Sequence, residues 1–431
     1  MSGEELLLRR CKFVLVGDGW VLRDVNVVVR DGVIASVGEE VDKSGLVLDC
    51  SDKVVIPGLV NSHTHAAMTL LRGYCDDAEL FGWLKRIWRV EARLTPRIVY
   101  LASKLAIYEM LSSGTTAFVD MYFYPEETAK AAEELGIRAA LGPPIIEGVG
   151  ELEGSVARAK SFVKDFGRSR LIVPILNVHS IHACSRETLE AVAELSRELE
   201  VKVHIHVSET RREVFECKKK YGLFPVEYLD RLGVLSDRCI LVHLGWVTSW
   251  EIELIREKGA CVVHCPSSNT KLATAGFFPF KEMVRSGIAV GLGTDGPASN
   301  NTLDMIREMR MAVLLQRNNY WDVDVNAADA FRAATLNGGA ILGVRVGSVE
   351  EGYLADLALL DAYSVRLQPL RADNLLSAIV YSASGADVVA TVVGGRLVYD
   401  REDEEKIARW REEVRRIAEE LNKFMASIAG Q

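Results

Sequence analysis

Glutamine is almost missing from this chain. Gln316, Gln368 and Gln431 are the only three in 431 residues, whereas Lys plus Arg number 51 and Asp plus Glu 60. A surface rich in charge and poor in amides suits a protein from a hot environment, which speaks of habitat and not of activity. An excess of basic residues is lacking too. The formal net charge is −9, and no Lys/Arg cluster interrupts the acidic balance on the scale that a phosphate backbone requires, so no nucleic-acid partner is expected. Long apolar runs are also missing. No window approaches 18 uncharged apolar residues, which excludes a membrane-spanning helix from the expectation. The start, Glu4-Glu5, Leu6-Leu7-Leu8 and Arg9-Arg10, is acidic with a short apolar run, unlike a signal peptide. The eight cysteines are scattered without a CxxC pair and read as reduced thiols of a cytoplasmic protein, not as a disulfide framework. What is present, 49% apolar and 26% charged residues, is an ordinary globular balance with material for a deep core.

At about 150 residues per domain, the length fits two or three domains, or one large barrel with an attachment. The first 56 residues read as short strands joined by tight turns: Phe13 to Val16, Val25 to Val29, Arg30-Asp31-Gly32, then Val33 to Val37. Asp-Gly between β-branched runs is a strong hairpin signal. The same texture returns at Leu357 to Leu360, Val388 to Val393 and Leu397 to Tyr399. Neither piece buries a good sheet core alone, so both are expected in one small β domain. The middle alternates instead. Eight apolar runs (Val55–Asn61, Thr115–Asp120, Ile137–Leu141, Leu171–Val178, Val201–Val207, Cys239–His243, Ala260–Cys265 and Ala289–Gly293) alternate with helical stretches, the pattern of parallel strands covered on both faces. The predicted fold is α/β: a (β/α)8 TIM-like barrel over residues 57–345, a small β-sandwich built from residues 1–56 and 346–400, and a C-terminal amphipathic helix over 401–431. A doubly wound open sheet is the alternative, but no Gly-rich dinucleotide fingerprint follows the first strand. In the tail, Ile407, Trp410, Val414, Ile417, Leu421, Met425 and Ile428 form one apolar stripe. Packing on the chain's own body is the expected use, and a homo-oligomer contact is the alternative.

The histidines are few and informatively placed. His63 and His65 stand two apart at the end of the first predicted barrel strand, so period two points both imidazoles the same way, as ligands of one metal require. His206 closes the fifth strand, His243 the sixth, and Asp295 follows the eighth. Parallel barrel strands bring their C-terminal ends to one mouth, which gathers these five residues. Three imidazoles and a carboxylate leave room on Zn²⁺ or Fe²⁺ for a water of lowered pKa. Glu209, three residues beyond His206, is placed to face that water as a proton shuttle; otherwise it is a solvated acid at a strand end. His204, one layer deeper than His206, reads as a hydrogen-bonded core histidine.

The run Pro57-Gly58-Leu59-Val60-Asn61-Ser62-His63-Thr64-His65-Ala66, together with His206-Val207-Ser208-Glu209-Thr210, Val242-His243, His264-Cys265-Pro266-Ser267-Ser268-Asn269 and Gly293-Thr294-Asp295-Gly296, resembles the amidohydrolase superfamily. It is most similar to the branch that holds adenosine, 5′-methylthioadenosine and S-adenosylhomocysteine deaminases, with cytosine and guanine deaminases and triazine chlorohydrolases. Val349 to Leu357 resembles that branch's return into its β-sandwich, so the likeness spans nearly the whole chain. The resemblance implies metal ligands His63, His65, His206 and Asp295. It implies that Glu209 protonates the ring nitrogen beside the reacting carbon, Asp295 takes the proton of the attacking hydroxide, and His243 holds the tetrahedral centre. The lysine that bridges two metals in other members is missing from Leu176-Asn177-Val178-His179, which implies one divalent ion per chain, zinc ahead of iron(II).

The same likeness assigns Glu91 to the ribose hydroxyls, which suits a nucleoside and would be idle with a free base; the plainer reading of Glu91 is an exposed helix residue. It assigns His179 to the substrate and puts His182 where a tyrosine is usual. Members that take S-adenosylhomocysteine carry arginines after the third strand. Here Leu141 to Glu147 has none, and none follows until Arg158. An amino-acid tail would meet no cation there, so adenosine or 5′-methylthioadenosine is expected ahead of S-adenosylhomocysteine. The alternatives are a deaminase or hydrolase of another heterocycle, such as guanine, cytosine, a pterin or a triazine, and, more remotely, an inactive binding module. A small-molecule substrate is expected, with no membrane partner.

Overall fold

The computed structural model describes residues 5–17, 19–38, 45–78, 80–147, 151–274 and 276–429. The N-terminal segment forms β1 (Glu5–Leu15), β2 (Val21–Arg30), β3 (Val33–Gly38), β4 (Leu46–Asp49) and β5 (Lys53–Pro57). The hairpin signal between β2 and β3 is realised at Asp31 and Gly32, whose φ values of 52° and 80° give the twist that a two-residue turn needs. The middle supplies β6 (Leu59–Thr64), β7 (Thr115–Asp120), β8 (Arg138–Leu141), β9 (Pro144–Ile145), β10 (Ile172–Pro174), β11 (Leu176–Ser180), β12 (Val203–Val207), β13 (Cys239–His243), β14 (Cys261–His264) and β15 (Val290–Leu292). The late segment adds β16 (Leu357–Asp361), β17 (Val388–Val393) and β18 (Arg396–Asp400).

Both ends of the chain meet in one eight-stranded sheet, ordered β18-β17-β16-β5-β1-β2-β3 with β4 beside β1. β16 runs antiparallel to β5, Leu357 opposite Pro57 and Ala358 opposite Ile56, so the two β-rich segments pair as their shared texture predicts. The middle strands form two parallel sheets, β6-β7-β8-β10 and β9-β11-β12-β13-β14-β15, with helices between most successive strands, though not between β8 and β9 or β10 and β11, in a TIM-barrel-like arrangement. β6, β7, β12 and β13 are buried along their whole lengths, as strands covered on both faces must be. The amide of Ile175, between β10 and β11, donates to the Leu141 carbonyl at 2.8 Å and extends the β8–β10 ladder. Beyond β15 the amide of Asp295 donates to the His63 carbonyl at 3.0 Å.

Two strand assignments differ from the sequence reading. The run Val55–Asn61 is not one strand: β5 belongs to the mixed sheet and β6 to the parallel one. The change of sheet falls at Gly58, whose amide donates to the Asp356 carbonyl and where a Cβ would lie 2.2 Å from Thr116 Oγ1. Only glycine lets the strands approach so closely. The predicted fourth strand is likewise two short pieces, β10 and β11, divided at Pro174-Ile175, because proline cannot donate to the ladder.

Arg138 at the start of β8 grips Asp356 just before β16, with Nε to Oδ2 and Nη2 to Oδ1 both 3.1 Å, and Gly394 N–H adds a third bond to Asp356 at 2.7 Å. Both charged side chains are buried, so this pair fastens the mixed sheet to the parallel one. The C-terminal helix, Glu404–Ala429, lays its predicted stripe on this chain's own body: Ile417 and Leu421 are buried, and the Trp410 ring stands 4.5 Å from Tyr108 and 5.1 Å from Tyr399. Lys104, on the helix Pro96–Ser112, bonds Glu134 at 2.7 Å and also Glu413 of the C-terminal helix. All eight cysteines are free and buried. No described helix is long and apolar enough to cross a membrane.

Candidate metal and active site

The C-terminal ends of the parallel strands bring the predicted ligands together. His63 Nε2 lies 3.3 Å from His206 Nε2 and 3.4 Å from Asp295 Oδ1, and His65 Nε2 lies 3.3 Å from the same oxygen. Donors about 2.0–2.1 Å from a tetrahedral ion stand about 3.4 Å from each other, so this spacing fits one zinc-sized centre. The ligand atoms of His63, His65 and His206 all fall within 4.8 Å of one another.

The outward-facing atoms fix the tautomers. His65 Nδ1 bonds the Met121 carbonyl at 2.5 Å and His206 Nδ1 the His179 carbonyl at 2.8 Å. Both nitrogens must carry hydrogen, which leaves the Nε2 lone pairs facing the centre. For His63 the constraint arrives through a chain. Asn177 Nδ2 donates to the carbonyls of Asp120 and Gly142 at 2.8 and 2.9 Å, so its Oδ1 is an acceptor. That oxygen lies 2.8 Å from His204 Nδ1, and His204 Nε2 lies 3.0 Å from His63 Nδ1. The proton order is thereby set, and His63 Nε2 also offers a lone pair. Such bonds orient metal-binding histidines and raise their basicity. His204 is a hydrogen-bonded core histidine, as the sequence suggested, but its orienting role, and that of Asn177, went unread.

Asp295 is held from behind by the hydroxyls of Ser268 and Ser299, 2.5 and 3.1 Å from Oδ2, which turns Oδ1 to the histidines. Burial drives the pKa of His63 down to about 4 and that of His206 well below the usual imidazole range. For His65 burial opposes the charge, but Asp295 outweighs it and lifts the pKa to about 9, so a cation that takes its Nε2 lone pair must displace a proton from that nitrogen. Burial opposes charge on Asp295 as well, yet His63 and His65 hold it well below the carboxylate range. A buried, ionised carboxylate among lone-pair donors attracts a cation. Ser208, His243, Leu244 and Asp295 all have positive φ, from 45° to 81°, and such backbone strain clusters where side chains must be aimed.

Glu209 faces this centre, its Oε2 4.0 Å from His243 Nε2; His243 Nδ1 is met by Asn269 Nδ2 at 3.1 Å. Burial raises the Glu209 pKa, with His243 pulling the other way. Its loop is pinned by Glu213, which no motif in the sequence singles out. Both carboxylate oxygens of Glu213 accept backbone N–H bonds, from Ser208 at 2.9 Å and Glu209 at 3.0 Å. Burial pushes the Glu213 carboxyl up to about 8.

Over the centre lies a cavity of about 350 Å³, a size usual for small-molecule sites. It receives His65, His206, Glu209, His243 and Asp295, and also Glu91, His179 and His182. Glu91 ends the helix Leu80–Glu91, whose Trp83, Leu84, Ile87 and Trp88 form an apolar wall. Burial raises its carboxyl pKa, with the nearby Tyr122 hydroxyl and His65 opposing. It is thus a partly buried cavity residue and not an exposed helix position. Burial drives His179 down to about 3, leaving a neutral ring. One expectation is overturned: the cavity does hold a cation. It is Arg212, on the helix Arg211–Tyr221, reached from the strand of His206 and not from the segment after β8.

The amidohydrolase family profile matches residues 54–398. The 5-methylthioadenosine/S-adenosylhomocysteine deaminase of Pyrococcus abyssi is 41% identical over 93% of this chain and 96% of its own. The 5′-deoxyadenosine deaminase of Methanothermobacter thermautotrophicus is 41% identical over 92% and 94%. Among solved structures, an adenosine deaminase from Xanthomonas campestris with bound zinc superimposes with a TM-score of 0.93 at 35% identity, covering 99% of each chain. Matches of this identity and extent settle the kinship that the strand-end histidines suggested: the chain belongs to the amidohydrolase family.

Proposed function

We propose that this protein is a metal-dependent aminohydrolase that deaminates adenine nucleosides, adenosine or 5′-methylthioadenosine foremost, to the inosine-type product and ammonia. The observation that carries the reading is the placing of Glu209 beside the His63, His65, His206 and Asp295 donor set at the floor of a cavity that Glu91 also lines. Relatives near 40% identity that deaminate adenine nucleosides support it.

The donor set fits one divalent ion per chain, zinc ahead of iron(II), held through the three Nε2 atoms and Asp295 Oδ1. When bound, such an ion supplies a water of near-neutral pKa and an electrophile. The rest falls to the chain. Glu209, protonated more readily because it is buried, donates to the ring nitrogen beside the amine-bearing carbon, which opens that carbon to attack. Asp295 accepts one proton of the attacking water and passes it to the amine nitrogen, so that the carbon–nitrogen bond breaks with ammonia leaving. The oxygen's remaining proton returns to Glu209, and His243 holds the incoming oxygen. An aromatic amine leaves poorly until the ring is protonated, so the acid and the activated water must act on the same adduct. Glu91 takes the ribose hydroxyls and the neutral His179 ring contacts the base. His182 shapes the wall.

In this reading the two parallel sheets are arcs of one closed (β/α)8 barrel over 57–345. The Asp295–His63 backbone bond supports closure between β15 and β6. Residues 1–56 and 346–400 form a composite β-sandwich, and 401–431 the terminal helix. Eight free cysteines favour a reducing compartment, the cytoplasm.

The test is ammonia release by zinc-loaded protein from adenosine, 5′-methylthioadenosine, S-adenosylhomocysteine, guanine, cytosine and a pterin, for wild type and Glu91→Ala. Adenine nucleosides should be the best substrates. The variant should lose about 10- to 150-fold in their kcat/KM, the worth of a charged hydrogen bond. A free base as best substrate, or a variant as active on adenosine as wild type, contradicts the reading.

A further inference from the structure

Relatives of equal identity divide between those that act on 5-methylthioadenosine and S-adenosylhomocysteine and those that act on 5′-deoxyadenosine. Overall similarity therefore does not choose the 5′ substituent, and this chain's own cavity must. The floor takes the base's amine and Glu91 the 2′ and 3′ hydroxyls, so the 5′ carbon, on the far side of the sugar, leads out toward solvent. Two opposite charges line the cavity and are half exposed: Arg212, 63% exposed, and Glu216, 56% exposed, one helical turn apart with Nε 2.6 Å from Oε1. Arg212 is the single Arg or Lys among the described residues that line the cavity. His182, on the loop after β11, lines it too. Burial lowers the His182 pKa, Glu216 raises it and Arg212 lowers it further, so both charges lie near this ring.

We propose that Arg212 and Glu216 read the zwitterionic end of an amino-acid tail on the 5′ sulfur of an adenine nucleoside, as in S-adenosylhomocysteine. A guanidinium accepts a carboxylate through parallel N–H···O bonds, and a carboxylate accepts the N–H bonds of an α-ammonium. The zwitterion carries its two charges a few bonds apart, and the Arg212–Glu216 pair holds its opposite charges side by side, Nε 2.6 Å from Oε1, so each partner exchanges one ion pair for another. Neither tail charge then leaves water unmatched. A methylthio group leaves the pair as it stands, so both substrates fit one cavity. The inference rests on the nucleoside reading above and adds to it the two residues that set the 5′ preference.

The experiment measures kcat/KM for 5′-methylthioadenosine, S-adenosylhomocysteine and 5′-butylthio-5′-deoxyadenosine, a neutral mimic of the longer tail, with zinc-loaded wild type, Arg212→Gln and Glu216→Gln. The pair is partly exposed, so the expected effect is at the low end for a charge contact. The ratio of S-adenosylhomocysteine to 5′-methylthioadenosine should fall about tenfold in each variant, and the butylthio ratio should move less than about twofold. A S-adenosylhomocysteine ratio within twofold of wild type in Arg212→Gln overturns the assignment. So does an equal fall for the butylthio compound, which would mark a loss of shape and not of charge. Wild type inert on all three compounds would overturn the nucleoside reading itself; activity on 5′-methylthioadenosine with an unmoved ratio removes the Arg212–Glu216 assignment alone.

Discussion

His204→Phe tests whether the proton order of the buried histidines governs metal binding. The change keeps an aromatic ring at a fully buried position but removes the acceptor 3.0 Å from His63 Nδ1 and the donor 2.8 Å from Asn177 Oδ1. His63 then has two poor choices: keep hydrogen on Nδ1 with no partner, or move it to Nε2 and lose the lone pair that faces the centre. An unsatisfied buried polar group costs about 1–3 kcal/mol, and losing an outer partner of a metal-bound histidine typically weakens affinity about 10- to 100-fold, or about 1.4–2.7 kcal/mol. The two routes agree on the size. Zinc affinity measured by competition with a chromophoric chelator should fall by that factor, with circular dichroism reporting an intact fold. His204→Gln, which can present an oxygen to His63, should recover part of the loss. A folded His204→Phe protein with wild-type zinc affinity would refute the tautomer chain.

Glu209→Gln should keep its zinc, assayed by elemental analysis, and lose at least about 10²–10⁴-fold in kcat, since an amide cannot deliver the proton; wild-type turnover in a metallated variant would remove Glu209 from the mechanism. Asp356→Ala leaves Arg138 charged and buried without its partner, and urea unfolding should show a loss of about 3–5 kcal/mol. The third expectation concerns pH. Burial pushes Glu134 and Glu413 up, but Lys104 outweighs it and holds both below the ordinary carboxylate value. Their stabilisation is therefore complete above the unfolded Glu value of about 4.3 and is lost as pH falls through the depressed folded values. Glu413→Gln should be less stable than wild type at neutral pH in urea titrations, and the gap should close in acid; a gap that widens in acid would contradict the Lys104 clamp.

The metal-type residues were legible because two regularities carry them: side chains alternate along a strand, and parallel strands end on one side. Those regularities gather His63, His65, His206, His243 and Asp295 at one mouth, while the choice of four of them as ligands rests on the family resemblance. What surrounds them follows from neither. That Asn177 orients His204, that Ser268 and Ser299 turn Asp295, and that Glu213 pins the loop of Glu209 depend on ring rotations and on contacts between separate strands, which residue spacing does not encode. Arg212 is not legible as a cavity cation because the segment after β8 is the expected source of one, whereas the helix after β12 delivers it to the same cavity. Val55–Asn61 looked continuous because both sheets demand apolar residues; the switch at Gly58 is visible only once Thr116 and Asp356 are in place.

The central claim is that one ion at this histidine–aspartate centre drives hydrolysis of an adenine nucleoside. Its most direct measurement is ammonia release from 5′-methylthioadenosine by chelator-stripped protein titrated with zinc. Activity should rise from baseline and saturate at one equivalent per chain, with ammonia and the inosine-type product formed in equal amounts. Undiminished turnover in stripped protein, saturation only at two equivalents, or no ammonia at any loading would contradict it.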